Sequence, residues 1–550
     1  MEVVPSIESY AGPKKDKYVW LKWTMAALIA VLNGYAAVMM YASGEWVFAL
    51  LDLVVVSVGL YVFMNKKTYA HRYIFPGVAG MVVFIIFPLA YTIGIAFTNY
   101  SGANLLSLEQ ARDFHLKKIY KVTGGEFDFT LLGGENNQFQ LLLQQDDQSF
   151  ISQPLTLLNN KARTLAVREG RVRDEPQVVQ LQPLNGEALD QAAPIRAIVD
   201  HRTHLSALDL VLPDGNIHLT LSSLRKFAAQ KPLYTQLVDG AVLKSGVVIK
   251  DGNLLRDNQN GELMLPNGDT GFYQYIDADG HFVGKGMAPG FVVSVGWKNF
   301  VRIMTDPGIQ GPFMQIFVWT VIFSACSVAF TLAIGMVMAC LVQWEQLRGR
   351  GFYRVMLILP YAIPAFISIL VFKGLFNQNF GEINLFLEAA FGIKPDWYTT
   401  PFLAKVMILI VNTWLGYPYM MILCMGLLKA IPEDLYEASA MDGAGPVQNF
   451  FKITVPLLMK PLTPLLIASF AFNFNNFVLI QLLTNGAPDI IGASTPAGTT
   501  DLLVNYTYRI AFQGSGGQDY GLASAIATAI FLIVGALALL NLKLSKADKL

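Results

Sequence analysis

The 550-residue chain is poor in charge and in cysteine. Asp, Glu, Lys and Arg make up only 15% of it and 53% is hydrophobic, with a mean hydropathy of +0.43, which indicates a polytopic membrane protein rather than a soluble one. The formal net charge is 0, so the chain lacks the overall positive charge that would indicate a nucleic-acid partner. Cys326, Cys340 and Cys424 all lie in hydrophobic runs, which excludes a disulfide framework and a zinc pattern.

Motifs of catalysis and of ATP binding are also missing. The stretch 280–285 lacks both the spacing of a Walker A sequence and the Ser or Thr that must follow it. No Ser/His/Asp or Cys/His arrangement has support, so we expect no catalytic residues and no cofactor in this chain. His201 and His204 are spaced like metal ligands, but nothing nearby completes a site, so we expect a surface pair and no metal.

Hydrophobic runs of about 20 residues, the length that crosses a bilayer, are the main feature that is present. They predict a polytopic α-helical membrane protein with about eight transmembrane helices. The runs are 20–42, 46–64, 74–98, 314–342, 354–376, 403–428, 461–483 and 521–543.

Basic residues give these runs an orientation. They cluster at 14–17, 66–72, 348–354 and 543–549. The positive-inside rule then predicts that both termini and the loop 429–460 are cytoplasmic. The segments expected on the outer side are 99–313, 377–402 and 484–520.

The outer stretch of some two hundred residues is long enough for an independent domain. Apolar residues alternate from Phe127 to Leu131 and again from Phe139 to Leu143, across a turn at 133–136, which predicts a β-hairpin. We expect helices at 184–206 and 219–230, and therefore a compact, β-rich α+β domain. Further turns are expected at Asp214-Gly215, Asp251-Gly252, Asn267-Gly268 and Asp279-Gly280.

A polar island, 431–456, separates two hydrophobic runs, and its Pro and Gly residues predict two short helices joined by a tight turn. Pro432 suits a first helical position. Gly443 and Gly445 can adopt the left-handed conformations that end a helix, and the second helix is expected to end before Pro456. The positions of Pro and Gly alone support two interpretations equally well. One is an ordinary loop, and the other is a rigid helical segment that receives force from a soluble partner.

The residues of the island resemble the EAA loop of binding-protein-dependent ABC permeases. The resemblance lies in Glu437-Ala438-Ser439, with Ser where the family usually has Ala, in Gly443 six residues after Glu437, and in Ile453 and Pro456. It implies that the first helix sits in a cleft of a cytoplasmic ATPase and carries the stroke of ATP binding to the membrane helices. The coupling residues expected on this basis are Glu433, Leu435, Tyr436, Glu437, Ala438, Ser439, Met441, Asp442, Gly443 and Ala444.

Two stripes of polar and aromatic residues lie in the sixth and seventh runs, each at i, i+3, i+4 and i+7 and so on one helix face. Amides donate and accept hydrogen bonds and aromatic rings offer flat apolar platforms, which suits a neutral polyol. Gly416 would leave room for a ring beside the backbone. The alternative, which the residues alone favour, is that Ser and Asn bond one helix to another. The stripes are Asn412, Leu415, Gly416 and Tyr419, and Ser469, Phe472, Asn473 and Asn476.

Longer stretches resemble one family over nearly the whole chain. Ile74–Ser101 is similar to the first core helix of sugar-type ABC permeases, and Gly296–Pro307 to the amphipathic segment before their second core helix. With the stretches 232–240, 412–421 and 469–477, the chain resembles the larger, MalF-type permeases of maltose/maltodextrin ABC importers.

This resemblance implies a six-helix permease core that two extra N-terminal helices precede and that an inserted periplasmic domain splits. The expected domains are 1–98, with the first three transmembrane helices, 99–295, the inserted domain, and 296–550, with the remaining five helices. The segment 431–456 is the expected cytoplasmic EAA coupling loop.

The resemblance also implies a function. It indicates the permease subunit of an ATP-driven importer that carries maltose and maltodextrins across the bacterial inner membrane by alternating access. The implied partners are a second permease subunit (MalG-type), an ATPase homodimer (MalK-type) that uses ATP and Mg, a periplasmic maltose-binding protein, and membrane lipid. It assigns the eight stripe residues to a sugar site halfway across the membrane, which reverses the preference for interhelical packing.

Other interpretations stay open at this point: a permease for another neutral carbohydrate, a self-sufficient secondary transporter, and a membrane-anchored sensor. The apolar runs from 354 to 543 contain no central Asp, Glu, His or Arg, whereas an ion-coupled transporter usually keeps an ionisable residue in its pathway. Asp52 in the second run is an exception that we interpret as an interfacial or packing residue. A sensor needs a cytoplasmic output domain, and 429–460 is too short for one.

Overall fold

The structure, a computed structural model, divides the chain into two compact units. One unit combines Met1–Thr98 with Gly296–Leu550, and the other is Asn99–Val295. Residues 134–136 of the turn expected at 133–136, the dipeptide Asp214-Gly215 and the basic cluster 14–17 lie outside the described residues. The described residues are 19–133, 137–145, 148–168, 176–184, 191–213, 218–242, 248–249, 251–514 and 517–547.

The described residues form twenty α-helices. In chain order they are α1 (Val19–Ala42), α2 (Trp46–Met64), α3 (His71–Met81), α4 (Phe87–Ala96), α5 (Leu108–Leu116), α6 (Asn160–Arg168), α7 (Ile195–Asp200), α8 (Arg202–Leu205), α9 (Lys298–Thr305), α10 (Pro307–Gln343), α11 (Arg350–Ala362), α12 (Ala365–Leu375), α13 (Glu382–Phe391), α14 (Pro401–Leu428), α15 (Asp434–Met441), α16 (Pro446–Asn449), α17 (Val455–Phe474), α18 (Phe477–Leu483), α19 (Leu503–Phe512) and α20 (Tyr520–Ala547).

Helices of membrane-spanning length confirm a polytopic α-helical membrane protein. Among the described residues, seven helices are long and apolar enough to cross a membrane, and the pair α11–α12 makes an eighth if it counts as one span. The predicted runs 20–42, 46–64 and 403–428 agree with α1, α2 and α14 to within two residues. A π-helical turn, Val82–Ile86, joins α3 to α4 into a single span.

The fifth predicted run, 354–376, is not one straight helix. It is α11 and α12, which meet at an angle of 91°. The break has a local cause, because Pro364 forces the residue before it out of helical geometry, and Ile363 is indeed extended, with φ −89° and ψ 132°.

The seventh predicted run, 461–483, is also not one helix, because it covers the end of α17 and the separate helix α18, with a break at 475–476. Helix α16 continues through a π-helical turn, Phe450–Thr454, into α17, so one helix runs past Pro456, and the expectation that it ends before this proline is wrong. The π-turn shifts the hydrogen-bond register so that Val455 N donates to Phe450 O, and Pro456 then lies in the first turn of α17, where a missing N–H is tolerated.

Small residues allow α10 and α14 to pack closely. A Cβ atom added at Gly335 would lie 2.7 Å from the Cβ atom of Met420, and one at Gly416 would lie 2.7 Å from Cγ2 of Thr331. Close approach at small residues is typical of helix pairs in membranes, where van der Waals packing holds helices together. The room that Gly416 was expected to leave for a ligand ring is therefore occupied by Thr331.

A buried charged cluster fixes the segment between α18 and α20. Arg509 on α19 donates from Nη1 to Oδ2 of Asp501 over 3.0 Å and from Nη2 to Oδ1 of Asp489 over 2.7 Å. The backbone N–H of Gly498 donates to the same Asp501 oxygen over 2.7 Å. Burial raises the pKa of Asp501 to about 6, although the neighbouring guanidinium lowers it.

Unit 99–295 is a β-rich α+β domain, as predicted. In its eight-stranded sheet, β2 pairs with both β9 and β3, which closes seven strands into a barrel. The strands of the described residues are β1 (Asn104–Leu106), β2 (Ile119–Gly133), β3 (Gln138–Gln145), β4 (Gln148–Ser152), β5 (Leu155–Thr156), β6 (Gln177–Pro183), β7 (Leu208–Val211), β8 (His218–Ser223), β9 (Lys226–Pro232), β10 (Tyr234–Gln236), β11 (Ala241–Val242), β12 (Val248–Ile249), β13 (Leu255–Asp257), β14 (Leu263–Asn267), β15 (Phe272–Ile276), β16 (Phe282–Met287) and β17 (Gly290–Phe291).

The predicted hairpin forms one wall of this barrel. Strands β2 and β3 are antiparallel, with Phe129 opposite Leu143 and Leu131 opposite Leu141. All of these alternating apolar side chains are buried in the domain core. A second, five-stranded antiparallel sheet has the order β10-β13-β14-β15-β16.

One expectation for this domain is wrong, and a second is confirmed only in part. The stretch 219–230 is not a helix but the β8–β9 hairpin, in which Leu219 lies opposite Ala229 and Leu221 opposite Phe227. The alternation of apolar and hydroxyl residues from 219 to 222 has the period of a strand, and packing into the barrel core stabilises it. In the stretch 184–206, the described helices are limited to α7 and α8.

The two spaced histidines are buried core residues rather than a surface pair. Nδ1 of His204 accepts a hydrogen bond of 2.8 Å from the backbone N–H of Leu158. The ring of His201 packs on that of Phe139, with centroids 5.0 Å apart. Their roles are therefore in packing and hydrogen bonding within the domain.

Candidate functional site

The polar island contains the predicted turn, with the short helix α15 before it and, after it, the start of the long helix that runs from Pro446 to Phe474. Gly443 has φ +79°, which favours glycine, but Gly445 has φ −82° and ψ 167°, an extended conformation that any residue adopts, so its expected left-handed role is wrong. Helix α15 begins at Asp434 rather than at Pro432, whose carbonyl accepts from Leu435 N in the turn before it.

Helix α15 presents side chains to the surface. None of its residues is buried, and Met441 is 90% exposed. Leu435 is a second large apolar side chain on this exposed helix. Of the predicted coupling residues, Glu433, Leu435, Glu437, Ala438, Met441, Asp442 and Gly443 are exposed, and Tyr436, Ser439 and Ala444 are partly buried.

One contact attaches α15 to the membrane helices. The hydroxyl oxygens of Tyr436 and Thr454 lie 2.9 Å apart, which joins α15 to the π-helical turn below α17. The Tyr436 ring packs against a cluster that contains Ile431 and Leu458. The sequence did not predict this contact of Thr454, because it depends on a π-helical turn, which has no characteristic residue pattern.

The structure brings three of the eight stripe residues together. Nδ2 of Asn412 on α14 donates to Oδ1 of Asn473 on α17 over 2.8 Å, and Nδ2 of Asn476 donates to Oδ1 of Asn412 over 3.2 Å. Asn476 reaches this position although α17 ends at Phe474, since it lies in the break before α18. The three amides form a bonded cluster within the membrane unit.

Four other stripe residues have different surroundings. The Phe472 ring is 72% exposed, although the neighbouring Asn473 is buried, and Tyr419 is also exposed. Ser469 contributes its backbone carbonyl, which accepts from Nδ2 of Asn473 over 2.8 Å. Leu415 packs against an apolar cluster that includes Trp319.

Ser327 on α10 belongs to the cluster, and the sequence interpretation missed it. Nδ2 of Asn412 donates to Oγ of Ser327 over 2.8 Å, and Ser327 is fully buried. A signal was present, because buried hydroxyl residues recur on one face of α10. They are Thr320, Ser324, Ser327 and Thr331.

The side chains that meet here, three amides and one hydroxyl, are uncharged and can both donate and accept hydrogen bonds. The cluster therefore has the chemistry to bind a neutral polar solute. It equally has the chemistry to hold three helices together.

Comparison with known proteins adds independent information. Three family profiles match the chain: "MalF, N-terminal region, transmembrane helices" at residues 20–67, "Maltose transport system permease protein MalF P2 domain" at 106–296, and "Binding-protein-dependent transport system inner membrane component" at 331–544.

Curated relatives match over nearly the full length. A maltose/maltodextrin transport system permease protein MalF from Yersinia pestis is 57% identical over 97% of each chain. Proteins of the same name from Vibrio cholerae and from Escherichia coli K12 are each 55% identical, over 97% of this chain and 96% and 98% of theirs. Identity at this level over such coverage shows that the chain belongs to the MalF family of binding-protein-dependent transport permeases.

Proposed function

We propose that this chain is the transmembrane permease subunit of an ATP-driven, binding-protein-dependent importer that carries maltose and maltodextrins into the cell by alternating access. The observation that carries the proposal is the 57% identity, over 97% of both chains, with a maltose/maltodextrin transport system permease protein. The cluster around Asn412 supports it, because uncharged donors and acceptors suit a sugar. The chain is a transport component and not an enzyme.

The proposed assembly contains a second permease subunit of the MalG type, a homodimeric ATPase of the MalK type, and a periplasmic maltose-binding protein. ATP and Mg are used by the ATPase. Helix α15 supports this proposal, because an exposed helix with Leu435 and Met441 on its surface suits a cleft in a soluble partner. The chain would then receive its energy through residues 433–444.

The proposed location is the bacterial inner membrane, with both termini in the cytoplasm and 99–295 in the periplasm. The exposed Lys66 and Lys67 follow the end of α2, Arg348 lies between α10 and α11, and Arg350 is the first residue of α11. Basic residues are enriched on the cytoplasmic side of membrane proteins. The expected boundaries 1–98, 99–295 and 296–550 give the proposed domains.

The proposed sugar site contains all eight stripe residues. Asn412, Asn473 and Asn476 would bond sugar hydroxyls, and the exposed Phe472 ring would offer an apolar platform to a sugar face. Leu415, Tyr419 and Ser469 are also in the proposed site, and Gly416 belongs to it through its packing against Thr331 rather than as space for a sugar ring.

A single continuous helix connects the coupling segment to this site. From Pro446 through the π-helical turn to Phe474 it is one span, with the Tyr436–Thr454 contact near its lower end and Asn473 near its upper end. Closure of the ATPase against α15 would therefore move α17 as a rigid body and change the hydrogen bonds of Asn473.

Reconstitution tests the proposal. Liposomes that contain this chain with the second permease, the ATPase and the binding protein should take up maltose only when ATP is supplied. Omission of any one partner should reduce uptake to background. Uptake by this chain alone would instead favour a self-sufficient secondary transporter, and uptake of a different neutral sugar but not of maltose would correct the substrate.

A further inference from the structure

Both hydrogen-bond donors of the Asn412 side chain are already used within the protein. Its two Nδ2 hydrogens are donated to Oγ of Ser327 and to Oδ1 of Asn473, both over 2.8 Å, and its Oδ1 accepts from Asn476. A sugar hydroxyl oxygen that accepts from Nδ2 of Asn412 must therefore replace Ser327 or Asn473. The affinity of the site depends on which partner gives way and at what cost.

We infer that Ser327 is a positioning residue that competes with sugar hydroxyls for Asn412 and thereby weakens sugar binding. This inference rests on the proposed function of the Asn412 cluster. Ser327 presents to Asn412 the same chemical group, a hydroxyl oxygen, that a sugar presents. It would keep the amide bonded and correctly oriented before sugar enters and release it when sugar arrives.

Ser327 is the partner that can be exchanged at the lowest cost. Asn473 is held on its other side, because its Nδ2 donates to the Ser469 carbonyl over 2.8 Å. A serine hydroxyl on a helix has an alternative acceptor in the carbonyl four residues earlier. Two neighbours on α10 use this arrangement, since Ser324 donates to Thr320 O and Thr331 donates to Ser327 O, each over 2.7 Å. Ser327 can therefore turn to Phe323 O when Asn412 bonds to sugar.

Because Ser327 and Asn412 are buried, loss of the hydrogen bond between them has a large free-energy cost. Ser327 is 0% exposed and Asn412 is 6% exposed, so no bulk water is available to replace a lost hydrogen bond. Removing the Ser327 hydroxyl would leave one Asn412 N–H unpaired, at the cost of a buried unsatisfied donor. A bound sugar hydroxyl would satisfy that donor again. Loss of the serine hydroxyl should therefore strengthen sugar binding, which is the opposite of what loss of a direct sugar ligand would do.

The test measures equilibrium binding of radiolabelled maltose to the purified complex of this chain with its second permease and ATPase, held with a non-hydrolysable ATP analogue. Ser327→Ala should lower the Kd between about threefold and thirtyfold. Ser327→Thr keeps a hydroxyl and should restore the Kd of the unchanged chain. Ser324→Ala is the matched control, because Ser324 is equally buried on the same helix but bonds only to the backbone of Thr320, and its Kd should not change.

Each other outcome has a defined meaning. A raised Kd for Ser327→Ala overturns the inference, since Ser327 is then a direct sugar ligand or a structural support. An unchanged Kd in a complex that assembles in normal amounts overturns it as well. The proposed function fails separately, if the unchanged complex does not bind maltose or if Asn412→Ala leaves the Kd unaltered.

Discussion

Tyr436 and Thr454 share a hydrogen bond of 2.9 Å between their side-chain oxygens, across the turn that separates α15 from α17. Tyr436 lies on the exposed helix proposed to contact the ATPase, and Thr454 lies in the π-helical turn at the base of the helix that carries Asn473. The bond therefore connects the two ends of the proposed transmission path. Without this bond, α15 would remain connected to α17 by the apolar contacts of the Tyr436 ring and by the turn that contains Gly443.

Tyr436→Phe keeps the ring and removes only the hydroxyl. We expect maltose-stimulated ATP hydrolysis by the assembled transporter to fall roughly three- to tenfold, since a hydrogen bond contributes about 1 kcal/mol. Thr454→Val should have the same effect, and the double variant should be no worse than either single variant, because all three remove one bond.

Thr463→Val is the control for these variants. Thr463 also lies on α17, but its hydroxyl bonds within the helix, to Met459 O over 2.8 Å. Its loss should leave stimulated hydrolysis unchanged. Additive effects of Tyr436→Phe and Thr454→Val would contradict a shared role for these two residues.

Gly443 and Gly445, in the turn between α15 and α16, allow a matched comparison. A substitution at Gly443 forces a side chain into φ +79°, at a cost of about 1–2 kcal/mol, while nothing lies within 4 Å of its Cβ position, so the effect is purely conformational. Gly443→Val should abolish maltose uptake, and Gly443→Ala should reduce it, with normal membrane insertion. Gly445→Ala should leave uptake intact, because Gly445 is extended and has open space around it. Equal uptake by Gly443→Val and Gly445→Ala would show that the turn conformation is irrelevant to coupling.

The sequence predicts those parts of the fold in which local composition decides the structure. Hydrophobic length is sufficient for α2 and α14, because a helix is the structure in which a single segment satisfies its own backbone groups in lipid. The bend at Pro364 could have been predicted, because proline restricts the residue before it, but a run of sufficient length hides the break. The strands at 219–230 are difficult to predict, since the alternation that indicates a strand covers only residues 219–222 and packing into the barrel core is what stabilises the hairpin.

The candidate site shows a similar division. Asn412 and Asn473 meet as the facing stripes imply, because each lies on the buried face of a long helix. Ser327 is on a third helix, and its choice as a partner depends on how α10 crosses α14, which the small residues Gly335 and Gly416 determine. Helix crossing is a property of tertiary packing that one stripe in one helix does not specify.

Phe472 and Phe474 are two residues apart and differ in burial. Substitution of each therefore tests a different property, maltose binding for Phe472 and stability for Phe474. Phe472→Ala should weaken maltose binding by the assembled complex about tenfold and leave assembly unchanged, because its 72% exposed ring makes few internal contacts. Phe474→Ala removes a ring that is 1% exposed, and should cost about 3–5 kcal/mol of stability, seen as a reduced yield of complex. Unchanged maltose binding in Phe472→Ala would leave interhelical packing as the role of this stripe.

The domain at 99–295 should lose stability in mild acid. Burial lowers the pKa of His115 to about 4, and that of His204 to about 4 with further lowering by nearby Arg163 and His201. Between pH 6.5 and pH 4 the unfolded chain binds protons on these side chains that the native domain does not, so stability falls as the pH decreases through this range.

Hydrogen exchange of the full chain measures this effect. Peptides beside His204 in the barrel and beside His115 at the five-stranded sheet should lose protection between pH 6.5 and pH 4.5, after correction for the intrinsic exchange rate. His115→Phe, which fits beside the rings of Tyr234 and Tyr273, should remove part of the pH dependence. His281→Gln alters an exposed histidine and should not affect it. Protection that is constant over this range would contradict the lowered pKa values.

Arg509 should be essential to the segment between α18 and α20, because it neutralises the fully buried Asp501. Arg509→Met leaves that carboxylate without its cation, and loss of one partner of a buried pair costs about 3–5 kcal/mol. Hydrogen exchange in 485–512 should accelerate accordingly. Asp489→Asn is the control, since the Asp489 side chain is 73% exposed and such a pair contributes little, about 1 kcal/mol or less.

The raised pKa of Asp501 allows a second, independent test of this prediction, which is its dependence on pH. Because the native pKa of Asp501, about 6, lies above its ordinary value of 3.8, its carboxyl increasingly destabilises the native segment as the pH rises from about 4 to about 6, and removal of Arg509 should raise the pKa further. Acidification to pH 5 should therefore restore protection in Arg509→Met, and Asp501→Asn should restore it at pH 7. If neither change rescues the variant, the uncompensated Asp501 charge is not the cause, and lost packing of the Arg509 stem would account for the defect.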